Sequence, residues 1–329
     1  MKATTTKESP VSTILEEWGA RWTGPVNGSR SLADFGDPGA EARALRETCG
    51  IFTSTGQGHL VLDGPDRQRF LHGLMTCEVK ALAPGEGAYG FFSDSKGKVL
   101  ADGVVLAYEK RLEIALPSEE AEPIREHVKK YIIADRVEVE NGQERIAVSV
   151  FGPKGAEILA TRFGEPLPVD PWRHRSYPVD AETVTLLKNG QARCEGYTLW
   201  IPKSLAVGLL RELRGLSASL VPVGDRAVDA MRVDLGVPRF GPDFGGDCFP
   251  QETGLEDEAV SYEKGCYLGQ EIVARIHYRG QSPRVMARVA IEAGDAPAVG
   301  TALSAGGREA GRLGTVVPTS GPGEDGFRA

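Results

Sequence analysis

No run of about eighteen apolar residues occurs in the 329-residue chain, so no membrane-crossing helix is expected. Met1 to Pro10 is polar and lacks the apolar centre of a secretory signal. Cysteine is sparse. The five residues, Cys49, Cys77, Cys194, Cys248 and Cys266, are odd in number, widely spaced and never arranged C-x-x-C. That pattern predicts reduced thiols in a cytoplasmic setting and gives no zinc or cluster-binding spacing. The five histidines, His59, His72, His127, His174 and His277, form no metal motif either, so an intrinsic iron–sulfur cluster is not expected. Excess positive charge is also missing. A formal net charge of −8 argues against broad nucleic-acid binding, which needs surplus Lys and Arg against phosphate.

What is present is ordinary globular composition, 41% hydrophobic and 26% charged, in a chain long enough for two or three domains. Val11–Gly24 has helical spacing in Ile14, Leu15, Trp18 and Trp22. Glu41–Cys49 reads as a second helix, stopped by Gly50. A strand, a Gly-Pro turn and a helix follow one another at His59–Leu74 and again at Ala147–Phe163, a weak internal repeat. Each proline is expected just inside a helix start, where its missing N–H costs nothing. Gly87–Phe92 and Val99–Tyr108 alternate as strands across Asp94-Ser95-Lys96-Gly97-Lys98, and Arg111–Leu116 continues the pattern. A helix over Glu119–Tyr131 precedes a strand over Ile132–Glu140. Strands at Thr183–Leu187 and Tyr197–Ile201 flank Asn189-Gly190, and helices cover Leu205–Leu216 and Ala227–Leu235. Beyond Arg279 the chain breaks into short strands, Val285–Ile291 the clearest, with the last strands of a small barrel or sandwich expected to be missing. The mixture is α+β.

The densest chemistry lies in Glu263-Lys264-Gly265-Cys266-Tyr267-Leu268-Gly269-Gln270-Glu271. A thiol, an amine, an amide and a carboxylate crowd around two glycines that permit positive φ or a close backbone approach. Lys264 lies two positions before Cys266 and would favour a thiolate if the two side chains converged. From Gln270 the pattern turns helical, so the turn stands at a helix start. For Cys266 taken alone a buried structural cysteine is the plainer reading, since cysteine is among the most buried residue types. Gln270 and Glu271 are read first as caps of the turn.

The run Lys264–Glu271 resembles the K-G-C-[YF]-x-G-Q-E signature of the YgfZ family, folate-binding relatives of the glycine-cleavage T-protein. Gly64-Pro65-Asp66, Phe70–Leu74 and Lys96-Gly97-Lys98 resemble that family's N-terminal half. Met231–Pro238 is similar to its "R-x-E-x-G-x-P" helix, with Asp234 for the glutamate, and Pro250–Leu255 to its "P-x-E-x-G-L" segment. Arg275–Gly280 resembles the stretch after the signature, so the likeness runs from about Glu41 to Leu313.

The resemblance implies a three-domain ring holding tetrahydrofolate or a derivative centrally. Its parts would be a discontinuous folate-binding-type domain over 1–56 and 147–245, a ferredoxin-like α+β domain over 57–146, a signature segment over 246–284 and a C-terminal β-barrel over 285–329. It also implies a role in assembling or repairing iron–sulfur clusters of client enzymes, including tRNA-modifying ones, with no direct nucleic-acid contact and no membrane. Lys264, Gly265, Cys266, Tyr267, Gly269, Gln270 and Glu271 form the signature site, with Cys266 the candidate reactive group. Asp102, Arg275 and Arg279 are the folate candidates, and Arg284 is a further guanidinium for the glutamate tail.

Departures weigh against turnover. The T-protein's aspartate pair aligns with Ala101 and Asp102, its pterin-holding glutamate with Thr198 and an arginine with Val228. Each lost partner of a charged group costs about 1.5–3 kcal/mol, so efficient aminomethyl transfer is not expected. The alternatives are a folate-dependent aminomethyltransferase or demethylase using Asp102, and an interaction module that has lost folate.

Overall fold

The computed structural model describes residues 10–24, 31–54, 57–143, 145–190, 195–280, 282, 284–292, 295–319 and 326–329. The chain divides into two compact units, one of 1–55 with 144–231 and one of 56–143 with 232–329. The expected α+β class is what forms.

In the first unit a six-stranded sheet runs in the order 174–179, 182–188, 196–202, 145–151, 49–54, 220–222. Its pairs are antiparallel except the last, where Leu220–Pro222 runs parallel to Cys49–Ile51. Alternation along Arg145–Phe151 and Gly196–Pro202 turns Val148, Val150, Leu199 and Ile201 into a core closed by Leu209, Leu210 and Leu213. Those leucines come from the helix Lys203–Leu216, whose apolar stripe recurs at helical spacing. The expected N-terminal helix is short, Ser12–Glu17. Gly19, at φ +92°, reverses the chain and lets Arg21–Trp22 pair with Leu32–Asp34.

In the second unit an antiparallel five-stranded sheet runs 87–93, 99–107, 111–117, 57–63, 138–141. Leu60, Leu62, Val105, Leu112 and Ile114 pack with Ile124 and Val128 of the helix Ser118–Lys129. Further strands at 290–292, 326–328 and 317–318 make a three-stranded sheet in that order, and 302–305 pairs with 308–312. Gly326–Arg328, from the part expected to lack strands, is the middle strand.

Both copies of the internal repeat form, one in each unit. Gly64 and Gly152 follow the strands at φ +106° and +119°. A Cβ on Gly64 would stand 2.1 Å from the Arg136 carbonyl oxygen, and one on Gly152 2.7 Å from that of Thr48, so only glycine fits. The prolines are not inside the helices. Pro65 and Pro153 precede the N-caps Asp66 and Lys154, because a turn intervenes before each helix begins.

Two expected strands are shorter than the sequence suggests. Of Ile132–Glu140 only Glu138 onward joins the sheet, because the Arg136 N–H donates to Asp66 Oδ2 at 3.0 Å and ties the segment to the Gly64 turn. Of Val285–Ile291 only Val289 onward pairs, Val289 exchanging backbone bonds with Ala329 and the strand itself starting at Ala290, since the preceding chain is held through the Arg284 side chain.

Candidate functional site

The signature turn alternates inward and outward. Lys264 and Tyr267 are buried, at 7% and 6% exposure, while Gly265 and Cys266 face solvent. The helix Gln270–Arg279 follows, entered through Gly269 in the left-handed conformation at φ +82°. Gln270 Nε2 reaches back across the turn to the Gly265 carbonyl at 3.4 Å, while Glu271 occupies the first helical turn, where its charge favours the helix start, without a side-chain cap bond.

The Lys264 ammonium donates to three backbone carbonyls, His72 at 2.7 Å, Met75 at 2.7 Å and Cys77 at 2.6 Å. Those carbonyls lie at the end of the helix Arg67–His72 and in the turn beyond it. The Tyr267 ring lies 5.1 Å from the nitrogen. Burial pushes this amine down to about 8. All three N–H bonds are committed, so Lys264 has no proton left to donate to a Cys266 thiolate. The expected activation of Cys266 by Lys264 is corrected accordingly: the lysine is a bolt that fixes the turn from which Cys266 projects.

Gly269 is pressed against the hairpin turn that starts the Asp102 strand. A Cβ there would lie 2.4 Å from the Asp94 oxygen and 2.8 Å from Gly97 Cα. Gly97, at φ +77°, has Val273 Cγ2 3.1 Å from the position of its own missing Cβ. Ser93 Oγ donates to the Leu268 carbonyl at 2.6 Å, and Leu268 N–H to the Gly73 carbonyl at 2.9 Å. Thus the signature is anchored on both sides, by the 72–77 segment and by the 93–97 turn.

His72 packs beside this turn, its Nε2 3.8 Å from where a Cβ on Gly265 would be. Its Nδ1 accepts from Val79 N–H at 3.4 Å and Lys80 N–H at 3.3 Å. Burial and the Lys264 charge lower its pKa, against the raising effect of the Glu78 carboxylate 3.1 Å from Nδ1. Among the described cysteines Cys266 is the exposed one. Burial pushes the Cys49 and Cys77 thiols up to about 12 and raises that of Cys248.

Asp102 stands five residues beyond Gly97, on the strand Val99–Ala107. Tyr89 O–H donates to its Oδ2 at 2.8 Å from the neighbouring strand. Burial raises the carboxyl to about 6, against the lowering effect of that bond. Ala101 points to the opposite face, into the core. An edge-to-face series runs on from Tyr89 to Phe91 at 5.8 Å, Phe244 at a further 6.0 Å and Phe240 at 5.6 Å.

Arg275 and Arg279 are exposed on the signature helix. Arg284 is committed elsewhere. It binds Glu252 through Nε at 3.1 Å and Nη2 at 2.9 Å, and Asp247 Oδ2 through Nη1 at 2.7 Å. The arginine expected to meet a ligand therefore neutralises a buried glutamate.

Sequence reading missed Tyr89, His72 and the cluster around Glu256. In that cluster Glu256 Oε1 accepts from Tyr262 O–H at 2.5 Å and lies 2.7 Å from His277 Nδ1, with Tyr262 stacked on His277 at 3.7 Å. His277 and Tyr278 lie within the quoted family stretch, but nothing in their spacing singles out Glu256. Among the described residues no group of three His, Cys, Asp or Glu could hold a metal ion.

Residues 13–264 match the family model described as the GCVT N-terminal domain. The chain belongs to that family. An aminomethyltransferase of Caldanaerobacter subterraneus is 26% identical over 289 residues, 83% of this chain and 74% of that one. A tRNA-modifying protein YgfZ of Yersinia enterocolitica is 28% identical over 258 residues, 74% of this chain and 72% of the relative. The crystal structure of glycine cleavage system aminomethyltransferase T from Bartonella henselae superposes with a TM-score of 0.80 at 19% identity, covering 97% of this chain and 87% of that one. The fold is thus that of the aminomethyltransferases and their YgfZ-type relatives. These likenesses fit the resemblance drawn from Lys264–Glu271.

Proposed function

We propose that the chain is a YgfZ-type, tetrahydrofolate-binding accessory protein that serves the assembly or repair of iron–sulfur clusters in client enzymes, tRNA-modifying ones among them. The observation that carries this reading is the bolted signature turn. Lys264 spends its charge on the protein's own backbone, and the result is a rigid platform with one exposed thiol, Cys266. Such a platform suits contact with a partner protein better than chemistry in a closed pocket. The cluster is cargo on this reading, handled through the client, and nucleic acid is met only indirectly.

Asp102 and the aromatic series beside it are suited to a reduced pterin. A carboxyl held near 6 can accept from, or donate to, a ring nitrogen, and the buried aromatic series fixes the strand that presents it. Arg275 and Arg279 would take the anionic glutamate tail through bidentate pairing. Folate would supply a one-carbon carrier or a structural wedge. The residues named here bind and orient it.

The second reading, aminomethyl transfer or a related demethylation, is favoured by one observation. A carboxyl with pKa about 6 is poised for general base work near neutral pH. Against it stand Ala101, Thr198 and Val228 where the T-protein carries charged groups.

Calorimetric titration with tetrahydrofolate, on the native chain and on Asp102→Ala, tests the cofactor. Saturable binding weakened by the substitution supports both readings, and no binding to the folded native chain removes folate from them. Formation of methylenetetrahydrofolate from an aminomethyl donor separates the second reading from the first. Loss of client activity in Cys266→Ala, with folate binding intact, is what the first requires.

A further inference from the structure

A cleft of about 290 Å³ opens in the first unit, and none of its lining residues belongs to the signature or the Asp102 face. Trp18, Phe35, Val221 and Pro222 form apolar walls. Arg214 reaches it from the last turn of the helix Lys203–Leu216 and makes no hydrogen bond or ion pair with a described residue. Asp37 lines it too. Its Oδ1 caps the helix Pro38–Glu47 by accepting from Ala40 N–H at 2.9 Å, which leaves Oδ2 available. The other acid, Glu41, is spent, its two oxygens accepting from Phe35 N–H at 2.7 Å and Gly224 N–H at 2.9 Å.

We propose that this cleft binds a small apolar or aromatic α-amino acid as its zwitterion. The guanidinium of Arg214 pairs with the ligand carboxylate, Asp37 Oδ2 accepts from its ammonium, and the side chain lies on Trp18 and Phe35. A simple anion would meet two acids for one cation, and a simple amine would leave Arg214 unpaired. A zwitterion satisfies both ends. The volume lies at the lower end of the roughly 300–1,000 Å³ of small-molecule sites, which suits one amino acid and is too small for a folate.

The test is calorimetric titration of the full chain with L-phenylalanine, phenylacetate and phenethylamine, repeated on Arg214→Gln and Asp37→Asn. Arg214 has no partner to lose and asparagine can still cap the helix, so both variants keep the fold. L-phenylalanine is expected to bind saturably and each single-charge analogue roughly tenfold more weakly, the loss of one charge-assisted contact. Arg214→Gln is expected to weaken L-phenylalanine and phenylacetate but not phenethylamine, and Asp37→Asn to weaken L-phenylalanine and phenethylamine but not phenylacetate. A ligand-dependent shift of the Trp18 indole N–H resonance would place the amino acid in the cleft. Absence of saturable L-phenylalanine binding, equal binding by Arg214→Gln, or an unmoved Trp18 signal at saturation overturns the proposal.

Discussion

Gly97 and Gly269 stand backbone to backbone, the second so close that a Cβ on it would lie 2.8 Å from the Cα of the first. This contact ties the signature to the hairpin turn from which the Asp102 strand departs. Gly269→Ala meets both a left-handed backbone and a backbone clash that no side-chain movement relieves. A loss of about 2–4 kcal/mol is expected, read as a lower urea midpoint at unchanged slope. A native midpoint would show that the turn can separate from the hairpin at little cost.

Removing the Lys264 amine exposes a different dependence. Lys264→Met keeps most of the stem but leaves the His72, Met75 and Cys77 carbonyls without their donor. Destabilisation of about 1–3 kcal/mol or more is expected. Hydrogen exchange should quicken in 72–77 and 264–269 ahead of the Val105–Leu112 core. Uniform quickening across the second unit would refute the local role.

The cysteines should separate by burial. In native buffer an alkylating reagent is expected to label Cys266 and to spare Cys49, Cys77 and Cys248, whose thiols are buried and raised. Peptide mapping by mass spectrometry reads this directly. Protection of Cys266 in the free protein would mean that the turn is closed.

Asp102 makes stability depend on pH. Its carboxyl titrates near 6 in the fold against 3.8 in the open chain, so between those values the native state holds a proton that the unfolded state has lost. Stability from this group is therefore greatest below about 4, falls as pH rises to 6, and the penalty is complete above that. Asp102→Asn keeps an acceptor for Tyr89 and removes the titration. The variant is expected to gain about 1–3 kcal/mol over the native chain at pH 7 and nothing at pH 3.5. Parallel urea midpoints across pH 3.5–7 would disprove the shift.

Arg284 and Glu252 should behave as a coupled pair. Glu252 is 3% exposed, and besides Arg284 its Oε2 accepts from Phe249 N–H at 2.8 Å. Arg284→Gln leaves that carboxylate with only the backbone contact and a distant Lys98 at 3.9 Å, and a loss of about 1–3 kcal/mol is expected. A double-mutant cycle with Glu252→Gln gives the coupling, and additive losses would show that the pair is independent.

The sheet strands with clear alternation, the two strand–Gly-Pro–helix units and the signature were legible from the residues alone, because each is written in local periodicity or in a contiguous run. The sequence also marked Gly97 and Gly269 as special through the turns around them. Tertiary structure alone decided what the signature residues do. The three acceptors of Lys264 are backbone carbonyls 187 to 192 positions away, and a carbonyl is present at every residue, so no composition or spacing announces it. The same holds for the Tyr89 bond that meets Asp102 across two strands and for the capture of Arg284 by Glu252. Local pattern fixes which face a side chain takes; the partner it meets there depends on how distant segments close around it.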